Sequence, residues 1–139
     1  MASRHKARIL AFQALYSWDV SRVPVEDLLD FPWLEEEQQH KLDEGVATFA
    51  HLLIQGTLEN IEAIDATIKA HLKNWDFSRV NKVDLAILRI STYALMFQKD
   101  MAPSIIIDEA IDLSREFGTD ESYRFVNGVL DSIRRSLQR

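Results

Sequence analysis

No cysteine occurs among the 139 residues. That absence removes disulfides, thiolate metal sites and cysteine nucleophiles together, and it fits a reducing cytoplasm. Glycine and proline are scarce, at four and three residues, which leaves little material for a turn-rich β architecture. No segment sustains the two-residue alternation of a strand. No run approaches the roughly 20 apolar residues that a membrane span needs. The apolar stretch after the basic start, Met1 to Arg8, is interrupted by Gln13, Ser17, Trp18 and Asp19, so no signal-peptide core forms. The expectation is a soluble, cytoplasmic protein.

Catalytic material is equally thin. Gly45, Gly56, Gly118 and Gly128 are too scattered to build a phosphate loop. The histidines His5, His40, His51 and His71 are not spaced as paired ligands on one helix face. Glu37 to His40 matches the Glu-x-x-His unit of di-iron bundles, but His51 and His71 lack a Glu three residues earlier, and such a site needs two units. Nothing marks a nucleophile. These absences predict neither an enzyme active site, nor a metal, nor a cofactor.

What remains is helix. With 47% hydrophobic and 27% charged residues, the composition suits one globular domain over 1–139, burying roughly two thirds of its unfolded surface. Residues 4–20 repeat apolar side chains at three- and four-residue steps (Ile9, Phe12, Leu15, Tyr16), with Ser3 as a cap. A short helical piece follows Pro24 and ends at Pro32. Residues 38–74 carry a long helical stripe through Leu42, Val46, Phe49, Leu53, Ile61, Ile64, Ile68, Leu72 and Trp75, with a kink or break allowed at Gly56. Asn74 to Ser78 reads as a turn ending in a cap.

Residues 79–99 are apolar nearly all round and should form the buried central rod. Ser104 is expected to cap the next helix, which Gly118 stops, and Thr119 or Asp120 to cap the last. The fold predicted is an all-α bundle of about six or seven helices with short connections.

The net charge of −6 argues against a generic nucleic-acid binder, yet the charge is segregated. Residues 1–18 carry three cations and no acid, whereas residues 19–65 carry twelve acids against Arg22 and Lys41. A basic start on an acidic body is a local feature able to steer a polyanion. Arg4, His5, Lys6 and Arg8 oppose the helix macrodipole, so stability does not account for them. At about 100° per residue Arg4 and Arg8 share a stripe while Lys6 points roughly 160° from Arg8. All three converge only if the first turn frays or a ligand wraps the helix end.

Other residues stand out singly. Tyr16 can rim a contact surface, while Trp18 reads as core. Asn81 to Asp84 resembles a capping box. Arg89, on an apolar helix, requires a carboxylate or phosphate partner. Gly128 inside a helix costs about 1 kcal/mol relative to Ala, for which close helix approach is the expected compensation, and Asn127 suggests a specific hydrogen bond.

These residues fall into a known order. Ala7-Arg8 with Gln13-Ala14-Leu15-Tyr16-Ser17-Trp18, then Val83 through Leu95, then Pro103 with Asp108 through Leu113, Phe117-Gly118 and Phe125-Val126-Asn127-Gly128-Val129-Leu130-Asp131 resemble the signature segments of the NusB family. The resemblance runs from about residue 4 to residue 134 and is weak over 20–60. It implies two packed helical subdomains and a transcription antitermination role. In that family NusB pairs with NusE, a small-subunit ribosomal protein. The pair binds boxA RNA of nascent ribosomal RNA leaders within the RNA polymerase antitermination complex.

Carried onto this chain, the resemblance implies RNA contacts at Arg4, His5, Lys6 and Arg8, and at or beside the same surface by Arg89, Ser122, Tyr123, Arg124 and Phe125. It implies NusE contacts at Tyr16, Asp84 and Glu121. Many relatives carry more arginine at the start than this chain does, so RNA affinity without NusE is expected to be weak. Family members occur as monomers and as homodimers, and both states stay open. A rival reading is a helical interaction adaptor, akin to the NusB-like domain that precedes some ribosomal RNA methyltransferase domains.

Overall fold

The computed structural model describes residues 2–73 and 76–139, the side chains of Ala2 and Ser3 excepted. The expected Ser3 cap, the first half of the turn at 74–78 and the place of Trp75 on the helical stripe lie outside the described residues. Within them are eight α-helices, one 3₁₀ turn and no strand. The helices are α1 (Ala2–Ser21), α2 (Val25–Leu28), α3 (Glu36–His40), α4 (Glu44–Glu59), α5 (Ile61–Ala70), α6 (Lys82–Phe97), α7 (Pro103–Phe117) and α8 (Ser122–Ser136), with the 3₁₀ turn at Phe77–Arg79.

The count exceeds six or seven because the stretch expected as one long helix over 38–74 is three. The break falls at Asn60 rather than Gly56. Asn60 leaves helical geometry at φ −114°, ψ 20°, and its side-chain amide donates to the Gly56 carbonyl at 2.8 Å. The side chain thereby closes the helix end that the backbone abandons. Gly56 stays helical, and the Tyr93 ring lies over it: a Cβ there would sit 2.3 Å from Tyr93 Cζ.

Helix α6 is the central rod. Every residue from Asp84 to Leu95 is buried, and α1, α4, α5, α7 and α8 all pack against it. Burial of Leu85, Ile87, Leu88 and Leu95 to 1% exposure or less contributes roughly 1.5–3 kcal/mol per side chain. Asn81 begins the helix by accepting from the backbone N–H groups of Val83 and Asp84 at 2.8 and 3.3 Å.

Two expected caps differ. Helix α7 starts with Pro103 in its first turn behind Ala102, without a side-chain cap from Ser104, because a proline at that position already lacks the orphan N–H. Helix α8 starts behind Glu121 without a side-chain cap, and the Thr119 hydroxyl turns to Ser122 instead. Gly118 does end α7.

Candidate nucleic-acid interface

The start of α1 divides its four basic side chains between solvent and protein. The helix is intact from Ala2, so no frayed turn brings them together. Arg4 and Lys6 are exposed. Arg4 and Arg8 share the stripe their spacing predicts, their guanidinium carbons lying 5.0 and 5.6 Å from the Phe49 ring centroid. Arg8 is only 8% exposed, with Nη1 3.7 Å from Glu109 and Nη2 donating to Met101 Sδ at 3.0 Å. Burial lowers its pKa, and Arg remains a cation nonetheless.

His5 Nδ1 lies 2.8 Å from Glu109 Oε2 and Nε2 lies 3.7 Å from Glu116. The hydrogen bond to Glu109 raises the His5 pKa above its ordinary 6.5, against a smaller opposing effect of burial. Of the four residues at the start of α1 expected to meet RNA, two therefore face solvent, whereas Arg8 is turned inward and half-buried His5 toward α7. The acids of α7 that hold them carried no flag in the sequence.

Arg89 is placed differently from expectation. Its side chain is 6% exposed, and Nε and Nη2 form a two-pronged pair with Asp65 at 2.9 Å each. Nη1 lies 3.2 Å from Asp19, out of hydrogen-bond alignment, and the guanidinium stacks near Trp18 and Phe77. Of the two partners its burial demanded, the fold supplies carboxylates, so Arg89 ties α6 to α5 and α1 and offers nothing to a phosphate at the surface.

The corner between α7 and α8 separates its residues in the same way. Ser122, expected beside the RNA, is 1% exposed. Its hydroxyl accepts the Thr119 N–H at 2.9 Å. Asp84, expected on the partner face, is itself 7% exposed. Its Oδ1 is buried with no hydrogen-bond partner among the described residues, and its carboxylate feels the Ser122 hydroxyl at this corner. Desolvation pushes its pKa above the ordinary 3.8, and the Ser122 hydroxyl offsets this only in part.

Tyr123 is half-buried, with the guanidinium carbons of Arg115 and Arg124 at 4.7 and 5.5 Å from its ring. Arg124 Nε donates to the Tyr123 hydroxyl at 3.1 Å and pairs with exposed Glu121 at 3.6 Å. Phe125 is half-buried against the core. Sequence reasoning missed Arg115, whose signal was its place eight residues before Tyr123 across a helix-ending glycine.

Tyr16 is 37% exposed and lines an apolar groove of about 310 Å³ with Phe12, Gln13, Trp33, Val83 and Phe117. Val83 places this groove next to Asp84 in the chain. Trp33, on the segment where the family resemblance is weak, is held there by its indole N–H donating to Gln13 at 2.9 Å. The other histidines are engaged structurally: His51 bonds the Leu29 carbonyl at 2.7 Å and stacks on Phe31, and exposed His40 lies 3.8 Å from Glu36. Among the described residues no three His, Asp or Glu side chains cluster as metal ligands, and no helix is long and apolar enough to cross a membrane.

These features define a class, an all-α bundle with exposed cations and a cation-flanked tyrosine outside and an apolar groove beside its first helix. The model of the NusB family matches residues 5–135. The chain is 50% identical to the transcription antitermination protein NusB of Treponema pallidum over 96% of this chain and 93% of that one. It is 51% identical to that of Treponema denticola over 94% and 95%. Among solved structures it is similar to T. maritima NusB at a TM-score of 0.84 and 35% identity, covering 95% and 90% of the two chains. A complex of antitermination factors NusB and NusE with double-stranded RNA includes a chain similar at a TM-score of 0.81, with 26% identity and 98% coverage of each. The chain belongs to the NusB family.

Proposed function

We propose that this chain acts in transcription antitermination as an RNA-binding adaptor, gripping boxA-type RNA together with NusE as part of the RNA polymerase antitermination complex. The observation that carries the reading is the likeness, over nearly all of both chains, to the NusB of a NusB–NusE–RNA complex. The geometry supports it at two surfaces. Arg4 and Lys6 project from the start of α1, and Tyr123 with Arg115 and Arg124 offers an aromatic face backed by guanidinium groups. Such groups supply salt-dependent phosphate contacts and stacking. The Tyr16 groove, with Glu121 and Asp84 at the start of α6, is the surface assigned to NusE, where an apolar centre with a polar rim suits a protein partner.

His5, Arg8, Ser122 and Arg89 act here by holding the frame. Phe125 completes the wall beside Arg124. The test is a titration of fluorescent boxA-type RNA with the chain alone and mixed with NusE. Arg4→Glu plus Lys6→Glu should weaken RNA binding by the mixture at least tenfold at moderate salt, the loss expected from reversing two phosphate contacts. Unchanged binding rejects the RNA surface. Tyr16→Asp should reduce NusE association while leaving RNA binding by the chain alone unchanged.

A further inference from the structure

Gly128 sits in the middle of the fifteen-residue helix α8, where glycine is the least favourable residue after proline. The compensation expected from sequence, a close-packed neighbouring helix, is missing: apart from its chain neighbours and its own helix backbone, no atom of the described residues lies within 4 Å of where its Cβ would stand. Instead Gly128 forms the exposed floor of a groove of about 330 Å³ between α8 and the segment that follows α5. That size reaches the lower end of known ligand sites, roughly 300–1,000 Å³.

The walls are cationic. Lys73, Arg124 and Arg135 line the groove with His71, and no acidic side chain does among the described residues. Among the described residues Lys73 makes no ion pair there. Arg135 is pinned by Asp131, while Arg124 pairs with the exposed Glu121 and bonds the Tyr123 hydroxyl. His71 is fixed across the groove by its Nδ1 bond to the Ser132 hydroxyl at 2.7 Å. When that hydroxyl donates, the ring proton resides on Nε2, which makes the histidine a hydrogen-bond donor.

We propose that this groove binds the phosphodiester backbone of RNA, with Lys73, His71 and Arg124 contacting phosphates and the missing side chain at Gly128 letting the strand lie against α8. A glycine permits backbone or ligand approach that any Cβ would obstruct. Continuity argues for RNA over an acidic peptide. Arg124 belongs both to this groove and to the Tyr123 face, so a strand stacked on Tyr123 would pass along Arg124 into the groove, whose described lining carries no acidic side chain. The proposal rests on the RNA-binding reading above and extends the strand's path beyond it.

The test compares a boxA-type RNA with the same RNA lengthened on both flanks, each bound to the chain mixed with NusE, by fluorescence anisotropy. Lys73→Glu should weaken binding of the longer RNA about three- to tenfold and lower its salt slope by about one. Gly128→Ala should raise the melting temperature by roughly 2–4 °C, as helix propensity requires, yet weaken the longer RNA. A purely structural glycine does not split these two readouts. If Gly128→Ala and Lys73→Glu leave both RNAs bound as tightly as before, the groove assignment fails. The RNA-binding reading survives that result as long as Arg4→Glu plus Lys6→Glu still weakens binding. If the unsubstituted mixture binds neither RNA, both fall. If Lys73→Glu weakens only NusE association, the groove is a protein contact and the proposal is overturned.

Discussion

Replacing Arg89 with Met is the sharpest probe of how this fold is held. The guanidinium is 5% exposed as part of its residue and faces Asp65 at 2.9 Å and Asp19 at 3.2 Å. Methionine conserves much of the volume but strands Asp65 and leaves Asp19 to Lys82 at 3.6 Å, two carboxylates whose side chains are only 17–20% exposed. Breaking a buried pair costs about 3–5 kcal/mol. Because both aspartates retain an edge to water, the lower end applies, near 3 kcal/mol. The unfolding entropy of a chain this long is about 0.3 kcal/mol/K, so the melting temperature should fall by roughly 10 °C. Adding Asp65→Leu and Asp19→Leu should restore most of the loss, since apolar replacement of a whole buried ion cluster is often neutral. RNA affinity at a temperature where the variant remains folded should not change. Differential scanning calorimetry with an RNA titration decides the matter. A fall under 2–3 °C, or RNA binding lost from a folded variant, would refute the internal role argued for Arg89.

Three other expectations follow from the geometry. Gly56→Ala should destabilise the chain by about 1–3 kcal/mol in urea unfolding, the cost of overpacking against Tyr93, opposite in sign to Gly128→Ala; a stabilised Gly56→Ala variant contradicts the packing described. The pair between His5 and Glu109 raises the histidine pKa, so its stabilisation is complete below pH 6.5 and is lost as pH rises through the folded-state value. The melting-temperature deficit of His5→Gln should thus be larger at about pH 5.5 than at about pH 8.5, and a deficit that grows with pH is incompatible with it. Asp84 has a raised pKa from burial, so the folded state suffers from its charge at neutral pH and recovers as pH falls toward 3.8. Asp84→Asn should therefore show its greatest relative stability near neutral pH, narrowing on acidification, and a difference that widens toward acid pH rules this account out.

How much of this was legible in the chain varies residue by residue. The helical periods of residues 4–20 and 79–99 are properties of local sequence, and α1 and α6 appear where those periods place them. The Asn60 break was hidden because a side chain bonding its own helix end leaves no gap in apolar periodicity, whereas Gly56 looked like a break and is a packing contact. The site was partly readable. A cationic start on an acidic body is visible in any charge count, but which of those cations face water is not. Glu109 and Glu116 lie more than a hundred residues from His5, and only the packing of α7 beside α1 brings them together.

The all-α class, the buried central helix and the segregation of charge were determined by the sequence itself, because each follows from interactions among near neighbours and from composition. The tertiary structure alone decided that Arg89 is paired with Asp65, that Ser122 and Asp84 are buried near the corner between α7 and α8, and that Gly128 opens onto a cationic groove. Burial and ion pairing depend on which distant segments a fold brings within a few ångströms, and no local pattern encodes that distance.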